Sequence, residues 1–401
     1  MPLFNVDWES RIDYNVIRKY RVERVIKKMQ EYDLDAILAC RVENVRYITG
    51  HRPLWWPHAG NVTRNSALVS KDGRIIAFVA SGDLDRARKA ISWIDPKDIR
   101  ALAALEDPGI IRNSVEKIFV PALKEMGVDK GRIGLDAGTF LLFEALRNAL
   151  PNANFVDGDS VINEAKAIKS NEEVKAIKLA CLGADEGMFA ALDTVAIGVR
   201  ECEVLAEAMR AMYRLGMEIP QCNLIVASGD HTAPLHRFAS DKLIQYGDLV
   251  LLDLGGCFNG YFAEGTRTVI VGKPTKEQKE IYTLVYRMMN QITKSLKPGL
   301  TNEELAQAVK GVLEGSEWEK YQFFGILGHG IGISPFEYPL VREIAMSGGK
   351  NFKFEPGMVF AFEPGLFVPG IGGVRLENTI VVTETGNEVL NKVPYDENLI
   401  E

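Results

Sequence analysis

Leu249-Val250-Leu251-Leu252-Asp253-Leu254-Gly255-Gly256-Cys257-Phe258-Asn259-Gly260-Tyr261-Phe262-Ala263-Glu264-Gly265-Thr266-Arg267-Thr268 is the stretch that decides the fold. Its first four residues read as a buried strand ending in the Asp253 carboxylate. Gly255-Gly256 and Asn259-Gly260 supply turn chemistry, and Thr266-Arg267-Thr268-Val269-Ile270-Val271 resumes a β-rich run. The spacing predicts a hairpin that carries Asp253 and Glu264. Two such acids in isolation are ordinarily hydrated or salt-bridged.

A second unit of the same kind lies toward the C-terminus. Met358-Val359-Phe360-Ala361-Phe362-Glu363 is an apolar strand ending in a carboxylate, and Gly372-Gly373-Val374-Arg375-Leu376-Glu377-Asn378-Thr379-Ile380-Val381-Val382 returns with Glu377. Four carboxylates on two strand-turn-strand units need neutralising if they converge. Buried like charges must take up protons or bind cations. A neutral ligand is available in His329, whose neighbours Gly328 and Gly330 let the backbone crowd an imidazole against a site.

At 401 residues and 47% hydrophobic content the chain is long enough for two or three globular domains. A formal net charge of -7, with acids and bases interspersed, argues against nucleic-acid binding. No run of the sequence has the length of a membrane span, and the first nine residues lack a basic and apolar leader pattern, so a cytoplasmic protein is expected. The five cysteines are widely spaced with no C-x-x-C pair, which predicts reduced thiols.

The first part of the chain alternates strands and helices. A charged amphipathic helix over residues 20–32 precedes a strand at 34–40, a hairpin follows at 66–80, and a strand at 132–136 leads into a helix at 139–149. Between them Trp55 and Trp56, flanked by prolines and histidines, form a candidate binding loop. A domain boundary is expected at 160/161. A long helical region from Ala165 to about Leu192, with Ser170-Asn171-Glu172-Glu173 as an interior cap, opens the second domain. There the loop Asp230-His231-Thr232-Ala233-Pro234-Leu235-His236 follows a strand end, a position where ligands and proton donors are commonly placed. The repeated plan of helices and a carboxylate hairpin predicts an internal duplication whose acids meet at a pseudo-twofold seam.

These residues resemble the creatinase, prolidase and aminopeptidase P family, the pita-bread hydrolases. Arg21 and Arg24 ahead of Asn44-Val45-Arg46-Tyr47-Ile48-Thr49-Gly50, and Lys169-Ser170-Asn171-Glu172-Glu173, match patterns of that family over nearly the whole chain. The resemblance implies an α/β fold in two parts: an N-terminal creatinase-like α/β domain over residues 1–160 and a C-terminal pita-bread domain with pseudo-twofold duplication over 161–401. It implies a five-ligand set of Asp253, Glu264, His329, Glu363 and Glu377 for two divalent metal ions, of Mn, Co, Fe or Zn. Glu264 and Glu377 bridge the ions in that scheme, Asp253 binds one, and His329 and Glu363 bind the other. Glu363 also takes the proton of the attacking water, His236 contacts substrate or leaving group, and Arg375 holds Glu377 from behind. Family members are commonly homodimers, which gives the tryptophan loop a place at the partner's site.

The chain departs from the family pattern twice. Glu264 stands where an aspartate is usual, and Phe336 stands where a second histidine is usual. Three readings remain at this stage. One is an exopeptidase or dipeptidase for Xaa-Pro bonds. Another is a small-molecule enzyme of the same fold, cleaving a C–N bond as creatinase or ectoine hydrolase does, or a sulfonium compound as dimethylsulfoniopropionate lyases do. Phe336, Trp55 and Trp56 favour it, because aromatic faces hold cationic groups. The last is a non-catalytic binding protein.

Overall fold

The computed structural model describes residues 12–52, 65–220, 224–321, 326–342 and 349–401. Trp55 and Trp56 lie outside the described residues. The chain divides into two compact units, residues 13–166 and residues 167–401.

The first unit is built on a six-stranded mixed sheet. Its order is Ile99–Leu102, Ile75–Ala80, Ser66–Ser70, Ala36–Ala39, Arg132–Leu135 and Asn154–Asp157. The 66–70 and 75–80 strands form the expected hairpin, with Gly73 in the left-handed region at its turn. The opening helix spans Tyr14–Glu31, with Asp13 accepting from the Asn15 and Val16 amides as its cap. Its buried stripe includes Ile17, Val25 and Met29.

The second unit carries both carboxylate hairpins. Leu249–Phe258 pairs antiparallel with Tyr261–Ile270 through the single turn Asn259-Gly260, where both residues have positive φ, 56° and 88°. This is the type I′ geometry that Asn-Gly favours, and a two-residue turn sets the whole register. Asp253 therefore lies opposite Thr266 and Glu264 opposite Gly255, so that the two acids share one face in diagonal positions. Gly255-Gly256, expected to turn, instead continues the strand. Gly256 is needed for close approach, since a Cβ there would stand 2.8 Å from Ile219 O, on the Ile219–Pro220 strand that pairs beside it.

The second sheet runs Glu337–Val341, Gly328–Gly330, Val359–Phe362, Asn378–Val382 and Asn387–Val389, all antiparallel. The return expected as one strand over 372–382 is two. Gly372–Arg375 pairs with Gly365–Val368, and Asn378–Val382 pairs with Val359–Phe362. Leu376 and Glu377 are the step between them. Across this step the two sheets join: Glu377 N donates to Thr266 O at 3.0 Å, and Thr379 Oγ1 donates to Glu264 O at 2.9 Å. The duplicated halves meet where the acids are.

Helices cover these sheets. Asp159–Lys166 closes the first unit, and a separate helix, Asn171–Thr194, opens the second. Ser170 is thus a true N-terminal cap and not an interior one: its amide donates to Glu173 Oε2 at 2.8 Å while Glu173 N donates to Ser170 Oγ. The 171–194 helix packs against Glu201–Arg214 and against the first hairpin. Lys276–Ser295, capped by Thr275, buries Ile281, Val285, Met288 and Ile292 in a core shared with Phe354, Phe360 and Phe362.

Candidate metal centre

The register of the first hairpin and the step at Glu377 bring Glu264, His329 and Glu377 together. One ligand atom from each lies within 4.8 Å of the others, and all three residues are buried. His329 Nε2 stands 3.2 Å from Glu264 Oε1 and 3.8 Å from Glu363 Oε1. His329 Nδ1 is 3.0 Å from Gly330 O. A carbonyl can only accept, so the proton sits on Nδ1 and the Nε2 lone pair faces the carboxylates. Burial pushes the imidazole down to about 4, which keeps it neutral, the form in which histidine binds a cation. Gly328 and Gly330 act as the sequence implies, for a Cβ on Gly328 would stand 2.6 Å from Ala361 O.

Glu377 accepts from Thr266 Oγ1 at 2.6 Å. Arg267, buried on the same strand, donates Nη1 to Glu377 O at 2.7 Å and Nη2 to Asn378 Oδ1 at 2.9 Å. Thr266 and Arg267 thus fix Glu377 by side chain and backbone, a function the sequence reading did not give them. The available signal was the register, since Thr266 is on the same face as Glu264.

Arg375, expected behind Glu377, takes a different place. Its Nη2 donates to Asp253 Oδ2, and its Nη1 lies 3.4 Å from Glu363 Oε2. The cause is the step at 376–377, which breaks the alternation that would put residues 375 and 377 on one side of a single strand. Arg375 is buried, and the carboxylates around it raise its pKa.

The acids respond to burial. Burial raises Asp253 above the usual carboxylate range, against the pull of Arg375. Burial likewise raises Glu363 to about 7 and Glu377 well above its ordinary value, the latter reinforced by the charges of Asp253 and Glu363. Glu363 is half-buried, its side chain 20% exposed, and so forms the open side of the cluster. His236 is exposed. Phe336 stacks on the His329 ring with centroids 4.3 Å apart.

The donor set suits a hard or borderline divalent cation: carboxylate oxygens with one imidazole. Asp253 Oδ1 is buried and has no hydrogen-bond partner among the described residues, an orphan acceptor that a cation satisfies. The residues present therefore fit a metal.

Two family models match the chain: metallopeptidase family M24 over residues 175–384, and the creatinase/prolidase N-terminal domain over residues 21–168. The chain belongs to metallopeptidase family M24. Within the family, it is similar to an Xaa-Pro dipeptidase of Pyrococcus horikoshii, 33% identical over 94% of this chain and 98% of that one. The crystal structure of the prolidase from the same organism superposes with a TM-score of 0.79 at 31% identity, covering 94% of this chain and 99% of the other. An Xaa-Pro dipeptidase structure from Bacillus anthracis gives 0.80 at 30% identity, over 94% and 99% of the two chains. The fold is accordingly the α/β pita-bread fold with its creatinase-type N-terminal domain. No helix among the described residues is long and apolar enough to cross a membrane.

Proposed function

We propose that the protein is a metal-dependent Xaa-Pro dipeptidase or aminopeptidase working through two divalent ions. The observation that carries this reading is the buried cluster of Glu264, His329 and Glu377, with Asp253 and Glu363 beside it on either side of Arg375. The relatives named Xaa-Pro dipeptidase supply the substrate class.

Glu264, His329 and Glu377 would hold divalent ions, with Asp253 contributing Oδ1 and Glu363 its open side, and ions held there would supply an acidified water and polarise a scissile carbonyl. Thr266 and Arg267 keep Glu377 from swinging away. Glu363 Oε2 faces Arg375, which leaves Oε1 to accept a proton during attack. His236, exposed on the loop that follows the Ile225–Ser228 strand, donates to the substrate or its leaving group. The ions are of Mn, Co, Fe or Zn, the set that mixed carboxylate and imidazole ligation admits.

The reading extends to a homodimer, which rests on the family resemblance, and to the cytoplasm, in keeping with free thiols at Cys181 and Cys202. Its test is release of proline from Xaa-Pro dipeptides by metal-loaded protein, abolished in Glu363→Gln with the fold retained. No release across a dipeptide panel by protein shown to carry metal would overturn it and turn the search to small-molecule substrates.

A further inference from the structure

Phe336 is the feature of the site that metal binding leaves unexplained. One face of its ring lies on the His329 imidazole, at 4.3 Å between centroids and 28° between planes. The residue is nevertheless 49% exposed, so its other face is open beside the metal ligands. An aromatic face left open beside candidate metal ligands gives a substrate group an apolar surface to rest on.

The backbone that carries the ring is also held. Phe336 O accepts from Ser334 Oγ at 3.2 Å. The next residue, Glu337, is buried and accepts from Ser334 N at 3.1 Å and from Lys169 Nζ at 2.9 Å. A Cβ on Gly332 would stand 2.8 Å from Lys169 Cε, so the Lys169 side chain also lies close against the start of this segment. A rigid platform binds at lower entropic cost than a mobile side chain does. The phenyl ring carries no conventional hydrogen-bonding group, so what it offers an apolar side chain is contact area.

We propose that Phe336 determines specificity: its open face receives an apolar side chain of the residue preceding the scissile bond, so the enzyme selects Xaa-Pro substrates with a bulky apolar Xaa. This rests on the Xaa-Pro reading above. It makes Phe336 a residue that touches substrate without taking part in the chemistry.

The experiment compares kcat/KM for Leu-Pro and Gly-Pro in metal-loaded wild type, Phe336→Ala, Phe336→Leu and Phe336→Tyr. Calorimetric binding of the corresponding analogues with a reduced, uncleavable bond gives a readout free of turnover. Wild type is expected to prefer Leu-Pro by about tenfold or more, Phe336→Ala to bring the two within about threefold, and Phe336→Tyr to keep the preference. Phe336→Leu, which keeps apolar bulk without the flat face, should fall between, and it serves as the test if the alanine variant does not fold. The analogues should follow the same order. A full preference in Phe336→Ala or Phe336→Leu with unchanged melting temperature and metal content, or no preference in wild type, would overturn the proposal while leaving the dipeptidase reading intact. A metal-loaded wild type that cleaves neither dipeptide would remove both.

Discussion

Replacing Arg375 with methionine removes the only guanidinium between Asp253 and Glu363 among the described residues and leaves the buried Asp253 carboxylate facing that of half-buried Glu363. Breaking a buried charge network by deleting one partner costs about 3–5 kcal/mol. Protons can limit this cost. Without Arg375, Asp253, Glu363 and Glu377 all lose a charge that holds their pKa down, and they take up protons more readily. In the metal-free wild type Glu363 already sits at about 7 against an ordinary 4.5. An acid raised by folding contributes stability that is full below its unfolded value and lost as pH rises through its folded value. The metal-free protein should therefore lose stability between about pH 5 and pH 7, and Arg375→Met should make that slope steeper. We expect the full cost at about pH 8 and roughly 1 kcal/mol at about pH 5, where protons neutralise the acids instead. Saturating divalent metal should shrink the difference at the higher pH. Hydrogen exchange of the Leu249–Phe258 and Tyr261–Ile270 amides in chelator-treated protein measures this locally, independent of the first unit. Equal losses at both pH values would refute the reasoning that Arg375 acts as counter-charge.

Thr266→Val removes the 2.6 Å hydrogen bond to Glu377 while keeping the side chain's shape. It should weaken metal affinity by about 10-fold, read by competition against a chelating dye; unaltered affinity would show that Glu377 needs no such support. Lys169→Met breaks an ion pair whose side chains are 3% and 1% exposed, and a loss of about 3 kcal/mol or more is expected in urea denaturation. Adding Glu337→Leu should recover much of it, and a double variant as unstable as the sum of the two singles would argue that the pair is uncoupled.

The hairpins were legible because Asn259-Gly260 can do little else than make a two-residue turn, and the turn then dictates that Asp253 and Glu264 share a face. His329 was legible from its glycines. Gly255-Gly256 misled, because glycine marks both turns and places where another backbone comes close, and only the Ile219–Pro220 strand tells the two apart. The division of residues 372–382 between two sheets has no local signature; the run has β character throughout, and the step at Leu376-Glu377 arises from the docking of the two halves. Arg375 was misplaced for the same reason. The Lys169–Glu337 pair, separated by 168 residues, leaves no pattern that one sequence can reveal.

Whether Glu264, His329 and Glu377, with Asp253 and Glu363, form a metal centre is decided by elemental analysis of protein purified without chelator, and again after incubation with Mn(II), Co(II), Fe(II) or Zn(II). About two ions per chain are expected with at least one of these metals, and a sharp drop in His329→Ala. Protein that retains no ion under any of these conditions would contradict the metal-centre assignment.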